Sequence, residues 1–153
     1  MVPTSIEAVP AGAVRPLRSE VLRPGQPPTS LVYPGDDHPQ ALHVGAFADG
    51  VLVGIATVYP EPMPLRPMAD VDSDRAFRLR GMATRPDWQG KNLGRRVLTR
   101  CIEHARDHDA DVLWCNARVV ALGFYERLGF ETLGDEFDIE GIGPHYVMWR
   151  SVR

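Results

Sequence analysis

Residues 85–98, with the sequence RPDWQGKNLGRRVL, combine two glycines with a group of cations where an irregular segment leads into a predicted helix. Lys91, Arg95 and Arg96 fall near the first turn of that helix, where free backbone N–H groups and the helix dipole disfavour further positive charge. A bound anion would offset this charge most readily. The sequence therefore predicts an anion site here. The alternative is that the glycines permit only a tight turn beside solvated arginines.

The charges of the chain are unevenly distributed. Its formal net charge of -3 argues against general affinity for nucleic acid. Residues 78–100 carry one acid, Asp87, among many cations, whereas residues 131–140 carry acids and no cation. The cations are Arg78, Arg80, Arg85, Lys91, Arg95, Arg96 and Arg100. A local anion site in an acidic protein indicates a small anionic ligand, and nucleic-acid binding through these arginines would need a contiguous basic face.

Two common phosphate-binding fingerprints are absent from this stretch. A nucleoside-triphosphate P-loop reads GxxxxGK[ST], but Gly90 and Lys91 are followed by Asn92, and no earlier glycine has the required spacing. The Rossmann fingerprint GxGxxG is also missing, and it needs an early strand, whereas this loop follows several predicted strands. Nucleoside triphosphates and dinucleotides are therefore disfavoured, and the loop's position between a strand and a helix favours a pyrophosphate.

The elements around the loop follow from the hydrophobic pattern. Apolar residues at helical spacing predict a helix over residues 93–107, and Asp49-Gly50 predicts a tight hairpin turn. The predicted strands are 5–9, 41–47, 51–59, 77–84, 112–115, 131–137 and 145–151, and the predicted helices are 11–22, 93–107 and 119–128, the last closed by Gly129. Strand, helix and strand around the loop form a βαβ unit, so the fold class is α/β (α+β) with one parallel pair.

The rest of the chain sets the class of protein. Its 153 residues suit one domain over residues 1–153. Prolines and glycines predict a long loop and candidate lid at residues 23–40 and a stiff connection at 60–74. The sequence has no long apolar run and no signal-like start, so we expect a cytoplasmic protein without a membrane partner.

The cysteines and two spaced histidines give no metal signature. Cys101 and Cys115 lie among apolar neighbours, which is typical of buried free thiols. His104 and His108 could share a metal on one helix face, but no third ligand has suitable spacing. Trp88 and Trp114 are explained by core packing. No metal is expected.

Three segments of the sequence, taken in order, resemble the acetyl-CoA signature of the GNAT superfamily of N-acetyltransferases. They are Met82-Ala-Thr84, the glycine loop of residues 85–94, and Phe124-Tyr-Glu-Arg-Leu-Gly-Phe130. The family's loop reads Gln/Arg-x-x-Gly-x-Gly/Ala, and Asn92 stands here at its inner glycine. Asparagine tolerates left-handed backbone better than other residues with a Cβ. The resemblance implies a single mixed sheet of six to seven strands with a splayed parallel pair, flanked by about four helices.

The resemblance also implies cofactor contacts. Backbone N–H groups of the glycine loop and helix start would hold the CoA pyrophosphate, and these residues are Gln89, Gly90, Lys91, Asn92, Leu93, Gly94 and Arg95. The strand edge formed by Met82, Ala83 and Thr84 would pair with the pantetheine amides. Asn116 would reach pantetheine or the acceptor. The acetyl thioester would lie where the strands that carry Met82 and Cys115 separate.

The catalytic groups implied are fewer. Tyr125 lies where the family often has the acid that protonates the departing thiolate, and a phenol is protonated at neutral pH; the alternative is that it only packs in the core. Two positions depart from the family pattern, because Arg78 replaces a frequent glutamate and Arg118 a frequent asparagine. The amine could lose its proton through water to Asp138, Glu140 or His145. The expected acceptor-side residues are Arg78, Arg118, Glu140 and His145.

The resulting hypothesis is an N-acetyltransferase that transfers acetyl from acetyl-CoA directly to a primary amine within a ternary complex. The acceptor is a small molecule or a peptide, and acids in the last hairpin would suit a cationic amine. The two departures keep a noncatalytic acyl-CoA-binding or sensing module as an alternative. A homodimer is compatible with either reading.

Overall fold

Seven strands form one mixed sheet in the computed structural model, which describes residues 2–153. The strands are β1 Thr4–Val9, β2 Leu42–Ala48, β3 Val51–Pro60, β4 Ala76–Thr84, β5 Val112–Arg118, β6 Glu131–Ile139 and β7 Gly143–Ser151. Their order in the sheet is β1-β2-β3-β4-β5-β7-β6. Only β4 and β5 run parallel among the strands of residues 2–153. The predicted mixed sheet with one parallel pair is confirmed.

Within residues 2–153, three α-helices flank the sheet: α1 Ala11–Leu17, α2 Leu93–Asp107 and α3 Leu122–Glu126. The predicted first helix changes character at Arg18 and continues to Leu22 as a π-helical turn. Pro16 lies inside α1, and it lacks the N–H that a regular helix would use at that point. The predicted third helix likewise begins as a 3₁₀ turn at Val119–Ala121.

Helix α2 is held in place by its apolar face. The six side chains predicted to form that face are all buried, namely Leu93, Val97, Leu98, Cys101, Ile102 and Ala105. They belong to the main core cluster together with β2, β3 and β4. Burial of each large aliphatic side chain contributes roughly 1.5–3 kcal/mol. This packing fixes the direction in which the N-terminus of α2 points.

The parallel pair is short, and beyond it the two strands separate. Backbone pairing between β4 and β5 covers only Ala76–Arg78 and Val112–Trp114. Further along, β4 stays paired with β3 but gains an extra residue, because Ile55 faces Ala83 while Thr57 faces Arg80. Gly81 lies in this bulge with φ of 62°, a conformation that favours glycine. The separation expected between the Met82 and Cys115 strands is therefore present.

The predicted hairpin and buried thiols are also confirmed. Asp49 and Gly50 have φ of 49° and 78° between the paired strands β2 and β3, as a tight primed turn requires. Cys101 and Cys115 are both free and buried. None of the helices in residues 2–153 has the length and apolar character needed to span a membrane.

The connection of residues 61–75 is more ordered than a plain surface linker. The N–H of Met63 donates to the carbonyl of Ser73 at 2.9 Å, and both residues are buried. Met63 packs in a second core cluster with Trp114 and Trp149. The sequence prediction missed this because its prolines indicated only what the segment could not form.

Candidate active site

The glycine loop links the end of β4 to the start of α2 through backbone that few residues adopt. Gly90 has φ of 76°, and Asn92 has φ of 67° with ψ of 10° as the residue that precedes α2. Both lie in the left-handed region, where asparagine is the best tolerated residue with a Cβ. Asn92 therefore adopts the left-handed backbone that a glycine would adopt most readily at this position.

The N-terminus of α2 presents free donors. Its first helical hydrogen bond runs from the N–H of Arg96 to the carbonyl of Asn92 at 3.3 Å, and no side chain of residues 2–153 caps the helix. The N–H groups of Leu93, Gly94 and Arg95 therefore lack helical acceptors. Lys91 and Arg95 are exposed, and within the described chain neither pairs with a carboxylate. This end of α2 combines free donors with uncompensated positive charge.

A cavity of about 660 Å³ lies between the glycine loop and α3. We call it the loop cavity, and its walls include Gln89, Gly90, Asn92, Leu93, Gly94, Arg95, Phe124 and Arg127. A Cβ on Gly94 would lie 3.4 Å from the Phe124 ring, so the helix and the ring are in close contact. Lys91 does not line this cavity; its Nζ lies 5.8 Å from the centre of the Trp88 ring.

A second cavity of about 580 Å³ occupies the gap between β4 and β5. We call it the arginine cavity after Arg23, Arg78, Arg80 and Arg118 in its walls. The two cavities share the walls formed by Met82, Ala83, Thr84, Gln89, Val120, Ala121 and Tyr125. They therefore adjoin along these shared walls, and we call the pair the cleft, which extends from the N-terminus of α2 to the separated strands.

Tyr125 lies where the two cavities meet. It is 8% exposed, and its ring makes edge contacts with Phe124 at 5.2 Å and Phe130 at 5.5 Å. The ring packs in the core, and the residue also lines the cleft. Burial, followed by the nearby Cys115 and Cys101, raises the pKa of the Tyr125 phenol well above 10. The phenol therefore carries its proton at neutral pH.

Strands β5 and β7 bring three of the predicted residues into the arginine cavity. Asn116 and Arg118 lie on β5, where Arg118 is paired with His145 of β7, and all three line the cavity. The Nδ1 of His145 lies 2.7 Å from the carbonyl oxygen of Gly143, and its ring stacks on Phe137 at 5.9 Å. Because a carbonyl oxygen can only accept, Nδ1 donates its proton to it, and in the neutral tautomer of the ring the lone pair lies on Nε2.

The structure does not bring Glu140 to the site. Glu140 is exposed in the turn between β6 and β7, and neither it nor Asp138 lines the cleft. Glu140 therefore lies outside the walls of the cleft, and its role on the acceptor side stays a prediction that no contact in the structure supports. The β6–β7 turn carries this carboxylate away from the cleft, whereas the paired strand holds His145 inside it.

Arg78 lines the arginine cavity but has its own carboxylate. Its Nη1 donates to Glu61 Oε2 at 3.1 Å, and its guanidinium lies 4.8 Å from the Trp114 ring centre. The indole N–H of Trp114 donates to the carbonyl of Glu61 at 2.9 Å. Sequence reasoning missed Glu61, because no short-range pattern connects it with Arg78.

A buried network anchors the second half of the loop predicted as a lid. Arg18 is fully buried and donates to both oxygens of Asp36 at 2.7 and 2.9 Å and to Thr57 Oγ1 at 2.8 Å. His43 Nε2 donates to the Asp36 carbonyl at 3.0 Å, and its Nδ1 lies 2.8 Å from Thr57 Oγ1. Burial would raise the pKa of the Asp36 carboxyl, but hydrogen bonding and charge from Arg18 outweigh it and lower that pKa.

This network positions Tyr33, another residue that the sequence did not reveal. The N–H of Tyr33 donates to Asp36 Oδ2 at 3.1 Å. Its ring lies between two guanidiniums, 3.8 Å from that of Arg18 and 4.0 Å from that of Arg80. Tyr33 lines the arginine cavity. The loop of residues 23–40 therefore contributes an anchored wall of the cleft.

Arg23 and Arg80 were also missed as site residues. Arg80 could have been found from the sequence, because it is two residues from Arg78 on one strand and so shares its face. Arg23 follows the π-helical turn, and only the tertiary fold carries it to β4.

His104 and His108 contact backbone carbonyls, and residues 2–153 contain no group of three metal-ligating side chains.

Comparison with known proteins matches this geometry to one family. The model of the acetyltransferase (GNAT) family matches residues 13–130. The "Uncharacterized N-acetyltransferase YitI" of Bacillus subtilis (strain 168) is 36% identical over 137 residues, which cover 90% of this chain and 89% of that protein.

Solved structures share the fold at low identity. ElaA of Escherichia coli superposes with a TM-score of 0.71 at 17% identity, covering 98% of this chain and 99% of that one. The ribosomal-protein-S18-alanine N-acetyltransferase of Escherichia coli gives 0.71 at 17%, covering 98% and 94%. The yncA structure from Salmonella typhimurium, which contains acetyl-CoA, superposes with a TM-score of 0.71 at 15% identity, covering 98% of this chain and 94% of that one.

Proposed function

This chain belongs to the GNAT family of N-acetyltransferases, and on that premise we propose that it transfers acetyl from acetyl-CoA to the primary amine of a small acceptor by direct attack in a ternary complex. The observation that carries the proposal is the cleft of two adjoining cavities, which extends from the free N–H groups of α2 past Tyr125 to the separated strands. A long ligand with an anionic middle and a reactive end suits such a cleft.

The residues of the cleft fit the proposed cosubstrate. Free N–H groups and cations at the N-terminus of α2 would hold the pyrophosphate. Beyond Arg78, the edge of β4 towards β5 has no backbone partner within residues 2–153, so Met82, Ala83 and Thr84 would offer it to the amides of pantetheine. Bound acetyl-CoA would supply the acetyl group as a thioester.

Two side chains would move the protons of the reaction. As the amine nitrogen bonds to the acetyl carbon and the carbon–sulfur bond breaks, Tyr125 would donate its phenolic proton to the sulfur. The Nε2 lone pair of His145 would accept a proton from the amine, directly or through one water. Asn116, which lines the same cavity, would orient the acceptor or the pantetheine.

Direct transfer is favoured by the state of the two cysteines. Burial raises the pKa of both the Cys101 and Cys115 thiols to about 12, and the chain contains no other cysteine. The thiolate is the nucleophilic form of cysteine, so neither is suited to carry an acetyl group between two half-reactions. A single ternary complex avoids the need for such a carrier.

Release of free CoA thiol during incubation with acetyl-CoA and a panel of amines tests the proposal. We expect amine-dependent release and initial-velocity lines that intersect when both substrates are varied. Parallel lines would instead indicate an acetylated enzyme and contradict direct transfer. Binding of acetyl-CoA without release across the panel would favour the noncatalytic alternative.

His145 can be tested separately by replacement with glutamine. Glutamine keeps a polar side chain but cannot take up a proton, so turnover should fall by about 10²-fold or more while the affinity for acetyl-CoA is kept. Full turnover in this variant would remove His145 as the base.

A further inference from the structure

The arginine cavity is lined by positively charged side chains and by no negatively charged ones. Four arginines line it, Arg23, Arg78, Arg80 and Arg118, and its walls include no aspartate or glutamate. Cavity walls of a single charge raise the local concentration of ligands of the opposite sign. The acids of the last hairpin, which suggested a cationic amine, lie outside the cavity.

Three of these four cations have no carboxylate partner. Arg78 is neutralised by Glu61, whereas Arg23, Arg80 and Arg118 make no ion pair within residues 2–153. Arg23 Nη1 and Arg118 Nη2 both donate to the carbonyl of Leu22, at 2.8 and 3.4 Å. Their guanidiniums therefore converge on one point of the cavity wall.

The third cation is held in a fixed orientation. The guanidinium of Arg80 stacks on Tyr33 at 4.0 Å, and the buried pair of Arg18 and Asp36 fixes the position of Tyr33. Gly81 leaves little space beneath this stack, because a Cβ there would lie 3.0 Å from the Tyr33 ring. Such preorganisation suits recognition of a planar or multidentate anion.

The charges also act on one another. Burial lowers the pKa of Arg23 most; Tyr33 raises it, and the positive charges of Arg118 and Arg80 lower it. All three arginines are partly buried. A group of partly desolvated like charges destabilises the empty cavity, and an anion that bridges them would relieve that repulsion.

We propose that Arg23, Arg80 and Arg118 bind an anionic group of the acceptor, so that the natural acceptor is a small amine that also carries a carboxylate or a phosphate. The inference rests on the proposed function and names the substrate class of the same site. A cavity of about 580 Å³ lies in the size range of small-molecule sites. The anion would bind at the arginines, which leaves the amine of the same molecule free for the thioester.

Matched pairs of acceptors test the inference. Each pair has one member with an anionic group and one without it, such as α-amino acids with their carboxamides and phosphoethanolamine with ethanolamine. We expect kcat/KM to favour an anionic member by about 100-fold or more over its neutral partner. The two kinds of pair distinguish carboxylate from phosphate.

A variant locates the preference in the cavity. Arg80→Gln should lower kcat/KM for the anionic acceptor by about 10- to 100-fold, mainly by raising its KM. The ratio of kcat/KM between the anionic acceptor and its neutral partner should therefore become smaller. Arg80→Lys should recover part of the loss, and the KM for acetyl-CoA should stay the same. Arg66→Gln is the control, because Arg66 forms an exposed surface pair with Asp74.

The outcomes separate this inference from the proposed function. Turnover that favours neutral or cationic amines would overturn the inference and leave the proposed function in place. A rise in the KM for acetyl-CoA in Arg80→Gln, with the acceptor unaffected, would overturn it by assigning the arginines to the cosubstrate. Absence of acetyl-CoA binding in calorimetry and of turnover with every amine would overturn the proposed function and the inference with it.

Discussion

Replacement of Tyr125 by phenylalanine probes the proton donor of the proposed reaction. The substitution removes one hydroxyl from a side chain that is 8% exposed and keeps the ring contacts with Phe124 and Phe130. Loss of a general acid lowers kcat by about 10² to 10⁴, which corresponds to roughly 2.7–5.5 kcal/mol of activation free energy. No hydrogen bond of the Tyr125 hydroxyl within residues 2–153 is broken, so the free energy of unfolding should change by less than about 1 kcal/mol.

The assay measures release of CoA thiol at saturating acetyl-CoA and acceptor, with calorimetry for acetyl-CoA affinity. Affinity should be unchanged, so that the whole effect lies in turnover. Because burial raises the pKa of Tyr125 well above 10, its proton should cause no alkaline loss of activity below about pH 10.

A matched control separates catalysis from packing. Tyr146→Phe makes the same chemical change on β7 at a residue that does not line the cleft, and it should keep wild-type turnover. Full turnover in Tyr125→Phe, or an equal loss in both variants, would refute the assignment of Tyr125 as the acid.

Substitutions at three further positions test other parts of the site. Gly94→Glu should abolish acetyl-CoA binding in calorimetry, because the glutamate is bulky and has the same charge sign as the pyrophosphate. Gly94→Ala should keep most of the binding, because its Cβ would make only an ordinary 3.4 Å contact with the Phe124 ring. Binding of acetyl-CoA by the glutamate variant would contradict the pyrophosphate site. Asp36→Asn should lower the free energy of unfolding by about 3–5 kcal/mol by leaving the buried Arg18 unpaired. Since the pKa of the Asp36 carboxyl is lowered on folding, the stability that this carboxylate contributes is complete above about pH 4 and is lost as the pH falls through the pKa of the carboxyl in the folded protein. If denaturant titrations showed that wild type and Asp36→Asn lose the same stability on acidification, Asp36 would not be the source of this pH dependence. Gly81→Ala should lower the free energy of unfolding by about 1 kcal/mol because residue 81 has a positive φ, and it should raise the acceptor KM by displacing Tyr33. An unchanged acceptor KM would show that Tyr33 does not contribute to acceptor binding.

Local pattern was sufficient for the elements that carry the loop. The apolar stripe of α2 and the Asp49-Gly50 turn depend on residues a few positions apart, and both are found as predicted. The first helix was predicted too long, because a periodic pattern does not register that Pro16 and the buried Arg18 replace the regular helix with a π-helical turn.

The acceptor side shows the opposite case. The acids near residue 140 are conspicuous in the sequence, yet Asp138 in β6 and Glu140 in the β6–β7 turn are both exposed to solvent. Arg23, Tyr33 and Arg80 form a wall of the cavity although 57 positions separate the first from the last. No periodicity links such residues, since their proximity arises from sheet order and from a buried ion pair.

The sequence by itself determined that RPDWQGKNLGRRVL joins a strand to an amphipathic helix with free donors and excess cations at its start, because turn chemistry and helix polarity are local properties. It also indicated the family through short motifs. Only the tertiary structure decided which charges face the acceptor. The bulge at Gly81 and the separation of β4 from β5 open the cavity, and the pair of Arg18 and Asp36 anchors the wall that makes it cationic. Charged side chains can recognise one ligand only when the fold holds distant segments together and partly excludes water from the site.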